Sequence, residues 1–125
     1  MTQTGDNKTL RGTIAEDAVR GAEWTIPAVL VVNRGPNAGF RFPLDQAVTT
    51  AGRDPRSDIV LDEMTVSRHH AEFRLERGEL RVVDIGSLNG TYVNGQPTDS
   101  TALTNGDEIQ MGKFRLVLLT RPATT

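Results

Sequence analysis

The stretch Ser67-Arg68-His69-His70-Ala71-Glu72-Phe73 sets a hydroxyl, a guanidinium and two imidazoles side by side. With Asp84 further along the chain, Ser67 and His70 supply the residue types of a nucleophile, a base and an orienting acid. No Gly-x-Ser-x-Gly elbow surrounds Ser67, so the types alone point only weakly to a hydrolase, and the chain is read as no enzyme. A metal site fits less well still. His69 and His70 are adjacent, and on a strand adjacent side chains point to opposite faces, so they cannot share an ion. No metal is expected, and the plain role for either histidine is a structural hydrogen bond.

Three short loops offer different chemistry. Gly52-Arg53 closes one β-rich run, Ser67-Arg68 precedes another, and Ser87-Leu88-Asn89-Gly90-Thr91 lies between two more. Together they hold two guanidiniums, several hydroxyls, an amide, and glycines that let backbone N–H groups approach an anion closely. This inventory suits capture of a phosphate. Taken singly, each loop has a simpler reading: Arg53 can pair with Asp54 or Asp58, and Ser87-Leu88-Asn89-Gly90 can be only a turn.

The elements that must position these loops are short and β-rich. Residues 28–32 read Ala-Val-Leu-Val-Val and are stopped by Asn33-Arg34-Gly35-Pro36-Asn37-Ala38-Gly39, after which residues 40–44 resume an apolar alternation, the pattern of a hairpin. Further strands are expected at 48–51, 59–61, 70–75, 80–83, 91–93, 108–111 and 114–119. Within the third of these, Ala71, Phe73 and Leu75 share one face while Glu72 and Arg74 share the other. Asn94-Gly95 and Asn105-Gly106 are turn dipeptides, the first a strong tight-hairpin signal. Many short strands at close spacing argue for an all-β fold, an antiparallel β-sandwich, whose strand-end loops are where function gathers.

Composition narrows the function classes. A chain of 125 residues holds one compact domain plus a tail, and with no cysteine it has no disulfide. Lys and Arg number 14 against 16 Asp and Glu, with the signs interleaved, so nucleic acid is not an expected partner. The longest apolar runs, residues 28–32 and 116–119, are far below the roughly 20 residues of a bilayer span. No membrane partner is expected, and the location is read as cytoplasmic. Residues 1–26 carry few large apolar groups and are read as a disordered, threonine-bearing tail, followed by the domain at 27–120 and a short end at 121–125. Within the tail, residues 14–20 have the pattern of one or two helical turns capped by Thr13 and Glu16, too short to persist alone.

Gly52-Arg53, Ser67-x-x-His70 and Asn89-Gly90, in this order within a β-rich chain, resemble the forkhead-associated (FHA) domain, a reader of phosphothreonine. The resemblance covers about residues 27 to 120 and implies an eleven-stranded β-sandwich with no cofactor. It makes Arg53, Ser67, Arg68 and Asn89 the phosphothreonine-binding residues, with Gly52, His70, Ser87, Gly90 and Thr91 supporting them. His70 would be a buried brace for the loop that carries Ser67, and His69 would be solvated. One position departs from the family pattern: Leu88 stands where many members have a hydroxyl residue, so either the backbone N–H bonds the phosphate, or Ser87 and Thr91 help from the same loop, or affinity falls below the family norm.

Longer runs, among them Gly86-Ser87-Leu88-Asn89-Gly90-Thr91-Tyr92-Val93-Asn94 and Gly112-Lys113-Phe114-Arg115-Leu116-Val117, resemble one actinobacterial group of the family, the glycogen accumulation regulators and 2-oxoglutarate dehydrogenase inhibitors. That resemblance implies a monomeric regulator. Unphosphorylated, it would bind and inhibit 2-oxoglutarate dehydrogenase or act on glutamate-metabolising enzymes; a Ser/Thr protein kinase would switch it by phosphorylating a tail threonine that then docks on the chain's own site. The group's paired tail threonines are absent here, which leaves Thr9 and Thr13 as the candidate phosphosites. The other reading is an adaptor that recruits a phosphorylated kinase or another phosphothreonine-containing signalling protein.

Overall fold

The computed structural model describes residues 28–120. The expected tail, Thr9 and Thr13, and residues 121–125 lie outside them. Eleven strands run in chain order: β1 (Ala28–Arg34), β2 (Arg41–Pro43), β3 (Val48–Gly52), β4 (Ile59–Val60), β5 (Ala71–Glu76), β6 (Glu79–Asp84), β7 (Thr91–Val93), β8 (Gln96–Thr98), β9 (Ser100–Ala102), β10 (Glu108–Met111) and β11 (Phe114–Thr120). They form a six-stranded sheet in the order β2-β1-β11-β10-β7-β8 and a five-stranded sheet in the order β4-β3-β5-β6-β9.

The period-two pattern of the sequence sets which side faces inward. Ala28, Leu30 and Val32 of β1 are buried and alternate with the half-buried Val29 and Val31. Across the ladder, Leu30 pairs with Leu118 and Val32 with Leu116, so one apolar face is continuous over both strands. The opposing sheet offers Ala51, Ala71, Phe73, Leu80 and Val82, and Leu44, Leu61, Val66 and Leu103 from the connections join the same core. On the outward face of β5, Arg74 bonds Glu72 at 2.8 Å, as the alternation of charge requires.

The expected hairpin of the first two strands forms, with Val29 opposite Pro43 and Val31 opposite Arg41. Asn94-Gly95 joins β7 to β8 in a two-residue turn, both residues at positive φ, 51° and 83°. Two strands have no bounds in the sequence reading, although the Asn94-Gly95 hairpin signal implies the first of them. β8 and β9 are three residues each, Gln-Pro-Thr and Ser-Thr-Ala, too short for an apolar alternation to mark them. One pair also breaks the antiparallel rule: Ala51 and Gly52 pair with Ile59 and Val60 in parallel. That short pairing folds residues 53–58 back beside the end of β3, where the site lies.

Candidate functional site

Four connections meet beyond the end of β3. They are residues 53–58 after β3, residues 61–70 before β5, residues 85–90 between β6 and β7, and the turn at Gly112 and Lys113 between β10 and β11. The first two are zipped by backbone bonds: Arg53 N–H donates to the Ser67 carbonyl at 3.0 Å, Asp54 N–H to the Arg68 carbonyl at 3.2 Å, and His70 N–H to the Ala51 carbonyl at 3.0 Å. Gly52 makes this contact possible. A Cβ placed there would overlap the Arg68 carbonyl oxygen and sit 3.1 Å from that of Ser67. Gly52 is therefore needed for the approach of one backbone to another.

His70 has no exposed surface. Its Nδ1 accepts the Ser67 N–H at 3.1 Å, which places the ring proton on Nε2, and Nε2 donates to the Gly90 carbonyl at 2.9 Å. The imidazole thus staples the Ser67 loop to the Asn89-Gly90 loop. Burial pushes its pKa below the ordinary histidine value, against smaller upward contributions from the Gly90 bond and the Asp84 charge. Neither nitrogen is left to take a proton from Ser67, so the serine-hydrolase arrangement does not form. His69 lies on the other side of the chain, 70% exposed, with Nε2 3.9 Å from the Asp54 carboxylate.

Asp84 has a different part. Its Oδ1 accepts the N–H groups of Gly86 and Ser87, both at 2.9 Å, and its Oδ2 accepts the hydroxyls of Ser87 and Thr91. The Ser87 hydroxyl oxygen in turn accepts the Gly90 N–H at 2.9 Å. Burial works to raise the Asp84 carboxyl, but these hydrogen bonds outweigh it and hold the group below its usual range. Ser87 and the buried Thr91 are therefore spent inside the loop, which removes them as substitutes for the hydroxyl that Leu88 lacks. The sequence carried one sign of this hub, an aspartate two and three residues before glycine and serine, the pattern of an Asx turn.

Arg53 pairs with neither of the acids considered for it. Asp54 is held by Arg56 at 3.1 Å, which lowers its pKa to about 2, and Asp58 is held by Thr50. Arg53 instead donates Nε–H to the Val66 carbonyl at 3.0 Å. Among the described residues that is the only side-chain bond it makes, so its terminal guanidinium nitrogens are bonded to none of them. Arg68 is exposed and makes no side-chain bond to a described residue. Ser67 Oγ accepts the Leu88 N–H at 2.8 Å, which leaves its hydroxyl proton to give. Asn89 donates from Nδ2 to the Thr65 carbonyl at 2.9 Å.

Thr65 is a residue that sequence reasoning missed. Its N–H and hydroxyl bond Glu63, its hydroxyl oxygen accepts the Lys113 N–H at 3.0 Å, and its carbonyl holds Asn89. A threonine in a loop gives no signal of such a junction, because its partners are 24 and 48 residues away. Open grooves flank Asn89 on both sides. One, of about 370 Å³, is lined by Thr65, Tyr92, Gln110, Gly112 and Lys113 as well; the other, of about 440 Å³, runs past Ser87, Leu88 and Thr98. An extended chain has room to cross Asn89.

Comparison with known proteins agrees with this geometry. The model of the FHA domain matches residues 49–112. The chain is 68% identical over 109 residues to the glycogen accumulation regulator GarA of Mycobacterium tuberculosis (strain ATCC 25618 / H37Rv), covering 86% of this chain and 67% of that protein. It is 60% identical over 119 residues to the oxoglutarate dehydrogenase inhibitor of Corynebacterium efficiens, covering 93% of this chain and 83% of that one. A solved structure from a structural and functional analysis of phosphothreonine-dependent FHA domain interactions superposes with a TM-score of 0.72 at 27% identity, covering 78% of this chain and 99% of its own. With the loops, the sandwich and these relatives in agreement, the chain belongs to the FHA domain family.

Proposed function

We propose that the protein is a phosphothreonine-binding regulator that, unphosphorylated, binds and inhibits 2-oxoglutarate dehydrogenase or acts on glutamate-metabolising enzymes. The observation that carries the reading is the set of donors not bonded to any described residue on two loops zipped to each other: the Arg53 guanidinium ends, the Ser67 hydroxyl proton and the exposed Arg68, with the loops braced by His70 and Asp84. Arg53 and Ser67 are assigned as the main phosphate ligands. Arg68 contacts the peptide beside them, and Asn89 bonds its backbone. Gly52, His70, Ser87, Gly90 and Thr91 hold those ligands in place.

Phosphothreonine carries about −1.5 to −2 charges near neutral pH, and charge-assisted hydrogen bonds contribute about 1.5–3 kcal/mol each. Two or three of them, with backbone pairing through Asn89, reach about −8 kcal/mol, a micromolar dissociation constant. The metabolic part rests on the relatives named for regulating glycogen accumulation and inhibiting oxoglutarate dehydrogenase. By the same reading a Ser/Thr protein kinase acts on the tail at Thr9 or Thr13, and the phosphorylated tail competes for the site.

Titration calorimetry with a phosphothreonine peptide tests the site. Arg53→Ala is expected to bind no peptide while still folding cooperatively, with at most the modest loss of stability that goes with the lost bond to the Val66 carbonyl; a folded Arg53→Ala that binds as tightly as wild type removes the assignment. Adding the unphosphorylated protein to 2-oxoglutarate dehydrogenase tests the target. Inhibition lost in Arg53→Ala supports the regulator. No inhibition, with phosphatase-sensitive capture of a kinase from lysate, makes the chain an adaptor instead.

A further inference from the structure

The two sheets differ on their outward faces. On the five-stranded sheet that face carries Thr50, Glu72, Arg74 and Arg81, with Val48 and Val83 set apart among them, and Arg74 and Arg81 bond Glu72 and Ser100 across it. This is the polar coat of a sheet face turned to water. On the six-stranded sheet the centre of the outward face is apolar: Leu119 stands opposite Val29 and Val117 opposite Val31, with Pro43 on the other side of Val29. Leu119 is 43% exposed and the three valines are half-buried. No strand of either sheet lies over this face. Arg41 stands opposite Val31 at one side of the patch, Arg34 opposite Arg115 at its end, and Glu108 opposite Val117 is the acid beside it. None of the three arginines forms an ion pair with a described residue.

Reach and charge decide what covers such a face. A second copy fits poorly, because five side chains, three of them half-buried, fall short of the roughly 800 Å² per partner that a stable dimer buries. Residues 14–26 of this chain fit better. They join the sheet at Ala28, next to Val29, so Trp24 is only a few residues from the patch. Their large apolar side chains, Ile14, Val19, Trp24 and Ile26, are too few to close a core of their own. Their charges, Glu16, Asp17 and Glu23 against Arg20, complement the bordering arginines. A tether this short presents Trp24 at about millimolar concentration, so a weak apolar contact suffices to hold it. We infer that residues 14–26 lie across the outward face of the six-stranded sheet, with the Trp24 indole seated over Val29, Val31, Val117 and Leu119. Past Val117 the same face continues through Gln110 to Tyr92, and both line the groove beside Asn89. A chain seated there is led from the start of β1 toward that groove. Only this last consequence rests on the phosphothreonine reading.

Trp24 is the only tryptophan, so its fluorescence reads the seat directly. In the full, unphosphorylated chain its emission is expected to lie to the blue of a synthetic peptide of residues 14–27, and its acrylamide quenching to be several-fold weaker. Combining Val117→Thr with Leu119→Thr is expected to move both quantities to the peptide values while cooperative unfolding in urea is kept. A nitroxide on Gly21→Cys, the only thiol then present, gives a readout that needs no change in the seat. It is expected to broaden the amides of Val31, Val117 and Gln110 and to leave those of Glu72, Arg74 and Arg81 sharp. A wild-type tryptophan as quenchable as the peptide overturns the seat, as does equal broadening on both sheets or shielding that the folded double variant retains. Shielding that fades on dilution overturns it too, because a second copy would then be the cover. The chain is unphosphorylated throughout, so a failure of phosphopeptide binding leaves these readouts untouched and the two readings fail separately.

Discussion

His70 receives the Ser67 N–H on Nδ1 and gives its Nε2 proton to the Gly90 carbonyl, with no surface in contact with solvent. Alanine at this position leaves a donor and an acceptor without partners, which costs about 1–3 kcal/mol for each such group. His70→Ala is therefore expected to lower the melting temperature by several degrees and to weaken phosphopeptide binding through a loosened Ser67 loop, measured by calorimetry on both. The imidazole also makes stability depend on pH. Its folded-state pKa lies below the unfolded value of about 6.5 because burial disfavours the charged form, so between the two values the unfolded chain binds the extra proton. The stability it contributes is complete above about pH 6.5 and is lost as pH falls from there toward the folded value. Urea midpoints taken from pH 7.5 to 5 should decline in the wild-type protein and flatten over that window in His70→Gln; parallel curves would assign the decline to another group. The motif Ser67-x-x-His70 was legible as a brace from the family resemblance, but the tautomer and the partner carbonyl were not, because Gly90 is 20 residues distant.

At the scale of elements, the end of β3 and the loop after Val66 lie so close that only glycine fits at residue 52, since a Cβ would overlap the Arg68 carbonyl. Gly52→Ala is expected to destabilise the fold by about 1–3 kcal/mol, the cost of overpacking, and to displace Ser67 and Arg68 together. A Gly52→Ala protein with an unchanged urea midpoint and unchanged peptide affinity would show that the two backbones can part freely. The strands with apolar alternation, β1, β5, β6 and β11 above all, were readable from period two because each has one face on the core. β8 and β9 carry no such alternation, since at three residues each, Gln-Pro-Thr and Ser-Thr-Ala, they are held by backbone pairing to β7 and β6, and only the Asn94-Gly95 turn pointed to the first of them. The parallel pairing of β3 with β4 was equally hidden, as two residues leave no periodic trace.

For the whole molecule, the proposed docking of a phosphorylated threonine from residues 1–26 on the chain's own site would be an intramolecular event, for which an effective concentration near millimolar is typical of a short flexible linker. Against the micromolar affinity proposed for the site, that would favour a closed state by about three powers of ten. A Ser/Thr kinase acting on Thr9 or Thr13 is thus expected to make the protein refractory to added phosphopeptide and to relieve inhibition of 2-oxoglutarate dehydrogenase, with Thr9→Ala and Thr13→Ala showing which threonine is responsible. Unchanged affinity for a labelled peptide after stoichiometric phosphorylation would show that the tail stays off the site. The sequence by itself determined the β-rich class, the strands that face the core and the three motifs Gly52-Arg53, Ser67-x-x-His70 and Asn89-Gly90, because side-chain periodicity and turn chemistry are local properties of the chain. Only the tertiary structure decided that Ser87 and Thr91 are spent on Asp84, that Asn89 is held by Thr65, and that the terminal nitrogens of Arg53 are bonded to none of the described residues. Those outcomes depend on hydrogen bonds between loops far apart in the chain. Which donors are consumed and which remain for a ligand is settled when the two sheets close.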